Sequence, residues 1–177
     1  MSATVILVEQ NGTGSAPVPT ADVANVNMGS SDSAELVPAT YPITAMADGH
    51  SYEKWLRLEV TALGGSTQVD NIKIWKSAGA YKTGEGMSTN MRTSGYVAAS
   101  YPTGSNTPVN TDSAVATQVM PVSEPAGANL GIGGSLAGAI TTVPAYSDFC
   151  VLQLDVTAST PAGALNQKTL TWQYDEI

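Results

Sequence analysis

Charge is scarce in this 177-residue sequence. Charged residues make up 12% of it, about half the ~25% usual for a globular chain. Cys150 is its one cysteine, so no intramolecular disulfide can form. His50 is its one histidine, and one His with one Cys cannot build a structural zinc site, which takes four close ligands. No apolar run approaches the ~18 residues of a membrane span. The opening MSATVILVEQ lacks the basic n-region and long apolar core of a cleaved signal. The expectation is a chain made in the cytoplasm, with no membrane partner. Basic residues are absent from 1–53 and from 93–167. With a net charge of −8 and a pI near 4.3, the chain lacks the basic footprint that nucleic-acid binding requires.

What is present points to β-structure. A 42% hydrophobic chain of this length can bury one real core. From Tyr52 to Tyr81, Leu56, Leu58 and Val60 alternate with Arg57 and Glu59, and Ile72 and Ile74 alternate around Lys73, with Gly64-Gly65 between. Period-two alternation predicts two half-buried strands, here expected as a central hairpin. A second expected hairpin closes the chain. In it Cys150, Leu152, Leu154 and Val156 alternate with Gln153 and Asp155, and Leu170, Trp172 and Tyr174 alternate with Thr171 and Gln173. Residues 3–9 read as a buried strand or an N-terminal arm, since Gly12, Gly14, Pro17 and Pro19 disfavour regular structure after it. Val23, Val26 and Met28 suggest a strand; residues 36–50, with two prolines, supply only a short edge strand. Residues 93–147 are the least regular part, with a strand expected over Ala114–Val122 that ends at Pro121. Short strands, Gly- and Pro-rich turns and no credible helix predict an all-β antiparallel sandwich over 21–177, preceded by a strand or arm and linker over 1–20.

Chemistry is sparse. His50 with Cys150 would be the only Cys-His pair, but Cys150 falls on the inward phase of an apolar strand, where cysteine acts as a small hydrophobe. Asp32 with Glu35, or Asp70 with Asn71, do not match a calcium loop and read better as turn formers. Gly131-Ile132-Gly133-Gly134 lacks the third glycine of a dinucleotide fingerprint and leads into no helix. Carboxylates are plentiful, but few aromatics accompany them, which disfavours a sugar-cleaving cleft. The chain is therefore expected to be no enzyme and to hold no cofactor or metal. Six of the seven basic residues, Lys54, Arg57, Lys73, Lys76, Lys82 and Arg92, fall between 54 and 92. If the central hairpin is one sheet, its outward face is a basic band able to dock an acidic neighbour; the alternative is a merely solvated face. Trp55 and Trp75 fall out of phase with their apolar neighbours, as interface anchors would, unless both sheet faces are covered within one fold. Trp172 is expected in the core.

The segments NIKIWKSAGAYKTGEGM (Asn71 to Met87) and SDFCVLQLDVTASTPAGALNQKTLTWQYDEI (Ser147 to Ile177) resemble structural proteins of tailed bacteriophage virions. In these an Ile-Lys-Ile-Trp-Lys-Ser strand leads into a Gly-rich loop, and a closing hairpin ends in Trp-x-Tyr-Asp-Glu. The resemblance covers about a third of the chain. It implies an Ig-like or jelly-roll sandwich that works by assembly: a capsid decoration (cement) protein on the virion surface. The alternatives are a neck, tail or fibre component, or a carbohydrate- or receptor-binding module. Implied partners are the major capsid protein and copies of the chain itself, as a trimer or other ring. The residues expected at such contacts are Thr4, Val5, Ile6, Leu7 and Val8 of an arm adding a strand to a neighbour, Lys73, Trp75, Lys76 and Lys82 of the basic band, and Leu130 and Ile132 of the loop Gly127–Gly138.

Overall fold

The computed structural model describes residues 1–44, 49–93, 95–96 and 118–177. Within them the chain is all β. Its strands are β1 (Thr4–Thr13), β2 (Ala16–Ala21), β3 (Gly49–His50), β4 (Lys54–Ala62), β5 (Val69–Ala78) and β6 (Glu85–Thr93), followed by β7 (Gln118–Val119), β8 (Ala139–Ile140), β9 (Ala145–Tyr146), β10 (Phe149–Val156) and β11 (Thr169–Glu176). An eight-stranded sheet runs β2-β1-β4-β10-β6-β7, with β3 added on β10 and β9 on β4. A three-stranded sheet runs β11-β5-β8. Every pairing between strands is antiparallel.

Neither expected hairpin exists. β4 lies in the larger sheet and β5 in the smaller, and β10 and β11 divide the same way. Each connection is an arch across the sandwich. Residues 63–68 and 157–168 are long enough to step the ~10 Å between packed sheets. Alternation reports that one face of a strand is buried, but not which strand hydrogen-bonds to it. Leu56 and Leu58 therefore meet Ile72 and Ile74 across the core instead of lying beside them. Gly64, at φ 65°, makes the first arch while the N-terminal chain passes directly over it, with Gly65 N–H donating to Met1 O at 2.7 Å.

The N-terminal segment is a sheet strand, not an arm. β1 pairs with β4 over Thr4–Gln10 and with β2 over Val8–Thr13. Gly12 and Gly14 sit in or beside the β1–β2 turn, and Pro17 and Pro19 lie inside β2. Two prolines two residues apart turn their missing donors to the same side of an edge strand, where no partner is needed, and so blunt that edge. Val23, Val26 and Met28 form no strand; residues 22–44 are irregular. Val23 and Leu36 are buried, and Val26, Met28 and Ile43 pack on the main core. Of the strand expected over Ala114–Val122, residues 114–117 lie outside the described residues; Gln118–Val119 is β7, and Met120 N–H extends the contact to Met87 O at 2.9 Å.

The centre of the larger sheet is β10, held between β4 and β6. All its residues but Asp155 are buried, because both faces of this sheet are covered. Between the sheets, Cys150, Leu152 and Leu154 join Leu56, Leu58, Ile72, Ile74, Met87, Met91, Met120 and Leu130. On the outer face a second cluster holds Trp55, Phe149 and Val151 with Tyr96 against them. Trp55 stands edge-on to Tyr96 and Phe149, with centroids 5.2 and 5.4 Å apart. The Tyr96 hydroxyl donates to Gly12 O at 2.7 Å, pinning this layer to the end of β1.

Candidate functional site

A buried polar group lies on the inner face of the larger sheet. Glu9 continues the inward phase of Val5 and Leu7, and Lys54 that of Leu56 and Leu58; both side chains are fully buried. Lys54 Nζ reaches Glu9 Oε1 at 2.7 Å and Ser33 O at 2.6 Å. Asn11 Nδ2 donates to Glu9 Oε1 at 3.1 Å and Asp32 Oδ1 at 2.7 Å, while Asp32 Oδ2 accepts Gly12 N–H at 2.9 Å. The bonds converge on one oxygen of Glu9, Oε1, and leave the buried Oε2 without a partner. The group ties the irregular 30–35 segment to the end of the β1–β2 hairpin. Asp32 is thus a fastening for that hairpin, and Glu35, at φ 50°, sits in a turn. Among the described residues no group of three or more His, Cys, Asp or Glu side chains is placed to hold a metal ion.

His50 and Cys150 do not meet. His50 pairs with Asp155 across β3 and β10, and Cys150 faces Leu56. Five residues of β10 separate the two positions by about 17 Å. The Cys150 thiol is pushed up to about 12 by burial, against a weak opposing bond from Thr89 Oγ1 at 3.5 Å, so it remains a thiol at neutral pH. His50 Nδ1 lies 2.7 Å from Asp155 Oδ1, and Ser88 Oγ donates to Asp155 Oδ2 at 2.5 Å. This places the carboxylate between hydroxyl and imidazole. A nucleophilic triad needs the imidazole between the other two, able to take the hydroxyl proton.

The basic residues share no face, because β4 and β5 belong to different sheets. Lys54 is in the buried pair. Arg57 lies on the outer face of the larger sheet, its guanidinium carbon 3.7 Å from the Tyr146 ring centroid and 4.8 Å from that of Phe149. Burial lowers its pKa, with Tyr146 and Glu59 opposing. Lys73 is bound to Glu124 at 2.9 Å. Lys76 is buried, donating to Gly79 O at 2.6 Å with its ammonium 4.8 Å from the centre of the Tyr81 ring. Lys82 donates to Ala164 O. The Arg92 side chain lies outside the described set. Trp75 is half-buried and faces outward, opposite Thr171. Trp172 is half-buried against the main core, which agrees with its expected place.

In the expected arm, Thr4 is exposed, Val5, Ile6 and Leu7 are half-buried and Val8 is buried. Val5 and Leu7 pack on the main core, and Val8 has strands on both sides. In the Gly127–Gly138 loop Leu130 is 1% exposed and Ile132 half-buried, both on the chain's own core. Ile132 and Ser135 exchange backbone hydrogen bonds around Gly133 and Gly134, and Asp148 accepts Gly134 N–H with both oxygens at 2.8 and 3.0 Å. The adjoining Asn129 works as a piece of strand. Its Oδ1 accepts Ile74 N–H and its Nδ2 donates to Ile74 O, both at 2.8 Å. Together with β8, Leu130 N–H to Ile72 O and Lys76 N–H to Pro121 O, it closes one side of β5.

One long backbone edge is left. β11 pairs with β5 alone, and among the described residues nothing hydrogen-bonds to its other side. The register with β5 shifts twice, between Thr169 and Leu170 and between Gln173 and Asp175. In each case the additional residue lies in β5, so β11 itself is unbroken. The alternation of β11 was legible in the sequence; its open edge was not. No protein-family model, curated protein or solved structure matches this chain.

Proposed function

We propose that this chain is a virion structural protein, most simply a capsid decoration protein that bridges major capsid subunits on the head surface. The observation that supports this is how the two segments of the phage resemblance fit together. They lie some 60 residues apart in sequence, yet they supply β5 with β11 in one sheet and β10 with the start of β6 in the other. Lys168 to Glu85 and Lys82 to Ala164 bind them again at the loops. A likeness spread over interlocked strands is a likeness of one structural unit. Decoration works by burying surface across subunit joints, which suits a weakly charged sandwich with braced loops.

The test is to incubate the purified chain with shells assembled without it and without tails. Saturable binding of hundreds of copies per shell is the expected result. A few dozen copies, found only on tailed particles, would assign it instead to the neck, tail or fibre. Glycan binding by the isolated chain with no affinity for shells would make it a carbohydrate- or receptor-binding module.

A further inference from the structure

From the β11 edge we infer a contact between two copies of this chain: β11 pairs antiparallel with β11 of a second copy about a two-fold axis centred on Trp172. The two smaller sheets then become one six-stranded sheet.

Three observations carry it. First, other edges among the described residues are guarded: β2 by Pro17 and Pro19, and β5 by β8, Asn129 and Pro121. An unbroken eight-residue edge without such devices is a template for another strand. Second, the side chains that would lie along the join are incompletely covered. Leu170, Trp172 and Tyr174 pack on the core yet are only half-buried.

Third, the strand is complementary to itself. Opposite residues in an antiparallel pair point to the same face. A two-fold axis must therefore match inward residues with inward ones, and it must pass through a residue pair. Centred on Trp172, it sets Leu170 against Tyr174, Thr171 against Gln173, Thr169 against Asp175 and Lys168 against Glu176. Each copy's acidic end meets the other's basic end. Parallel pairing would set Asp175 and Glu176 against their own copies. Of these charges Glu176 is open to the contact, accepting Ala3 N–H and the Ser66 hydroxyl at an exposed position, while Lys168 is held on the buried Glu85 and meets the join from that place. The contact is isologous and closes at two copies, in place of the ring expected from the resemblance.

The inference rests on reading the chain as an assembly protein, but its test stands apart from shell binding. Sedimentation of the full chain should show a concentration-dependent dimer. Thr171 and Gln173 point away from the core, opposite Trp75 and Lys73, so substitutions there spare the interior. Thr171→Lys with Gln173→Lys sets like charges against each other across the axis, and should weaken the dimer roughly tenfold or more. Thr171→Lys with Gln173→Glu sets opposite charges there and should restore it, with unchanged circular dichroism in both variants. A strictly monomeric chain, a trimer, or equal dimerisation of both variants overturns the two-fold contact. A monomer that binds shells, and loses that binding with Thr171→Lys/Gln173→Lys, would show that the edge takes a partner's strand instead.

Discussion

The two sheets of this sandwich handle solvent in opposite ways. The larger buries side chains on both faces, in the main core inside and in the cluster of Trp55, Phe149 and Val151 with Tyr96 against it outside. Its Lys54–Glu9 pair is buried whole. The smaller has one packed face and one outer face, along which Lys73, Trp75, Thr171 and Gln173 lie in pairs. Its Lys73 is buried too, but the partner of that lysine, Glu124, is 52% exposed, and one edge of the sheet is open. Stability is concentrated in the first sheet and opportunity for contact in the second. A surface exposed to partners has to be one whose alteration the fold can survive.

The sharpest way to break that comparison is to remove one lysine from each sheet. Lys54→Met leaves Glu9 buried without its cation and Ser33 O without its donor, which should cost about 3–5 kcal/mol. Lys73→Met removes the ion pair with Glu124, whose side chain is 52% exposed; such a pair is worth about 0–1 kcal/mol. Urea denaturation of the two variants should separate them by several-fold in ΔΔG. Similar losses would mean that the smaller sheet is as much a part of the stability core as the larger.

A smaller effect is expected where the smaller sheet borrows a strand. Asn129→Ala deletes both side-chain bonds to Ile74 and leaves that residue's N–H and C=O without partners on a part-buried edge. The cost is about 2 kcal/mol, read as a shift of the urea midpoint. It also opens a second edge on the smaller sheet, so association at high concentration should rise relative to the parent. A variant with unchanged midpoint and unchanged association would show that β8 and Pro121 close that edge without Asn129.

Much of the fold was legible because burial has a period. β1, β4, β5, β10 and β11 all stand where alternation or an apolar run placed strands. What alternation cannot report is hydrogen-bonded partnership, so both arches read as hairpins. The error carried into function: a basic band requires β4 and β5 to be neighbours, and they are on different layers. The out-of-phase Trp55 left two readings open, an interface anchor or a sheet covered on both faces, and its complete burial beside Phe149 and Tyr96 decides for the second. Glu9 and Lys54 lie in phase with the apolar residues of their strands, which was a visible signal. Forty-five residues of separation concealed that they answer each other. The open edge of β11 depends wholly on which strands pair, and no local pattern encodes that.

The smallest expected effect uses the lone cysteine to sharpen the contrast between the layers. Burial raises the Cys150 thiol from 9.0 to about 12. A group whose pKa is raised on folding stabilises the protein fully below its unfolded value, and that contribution is lost as pH climbs toward the folded one. The neutral thiol is favoured in the core, while the unfolded chain ionises from about pH 9. Stability should therefore be flat through pH 8 and decline above 9, with Cys150 accounting for about 1.4 kcal/mol of the loss by pH 10. Tyr81, raised to about 12 first by its own burial and then by Glu85 and Asp155, adds a later loss beginning near pH 10. Cys150→Ala costs some packing at every pH but removes the first part of the alkaline slope, so the gap between variant and parent should narrow from pH 8 to pH 10. A gap that stays constant over that range would mean that water reaches the thiol, and that the centre of the larger sheet is less sealed than its packing indicates.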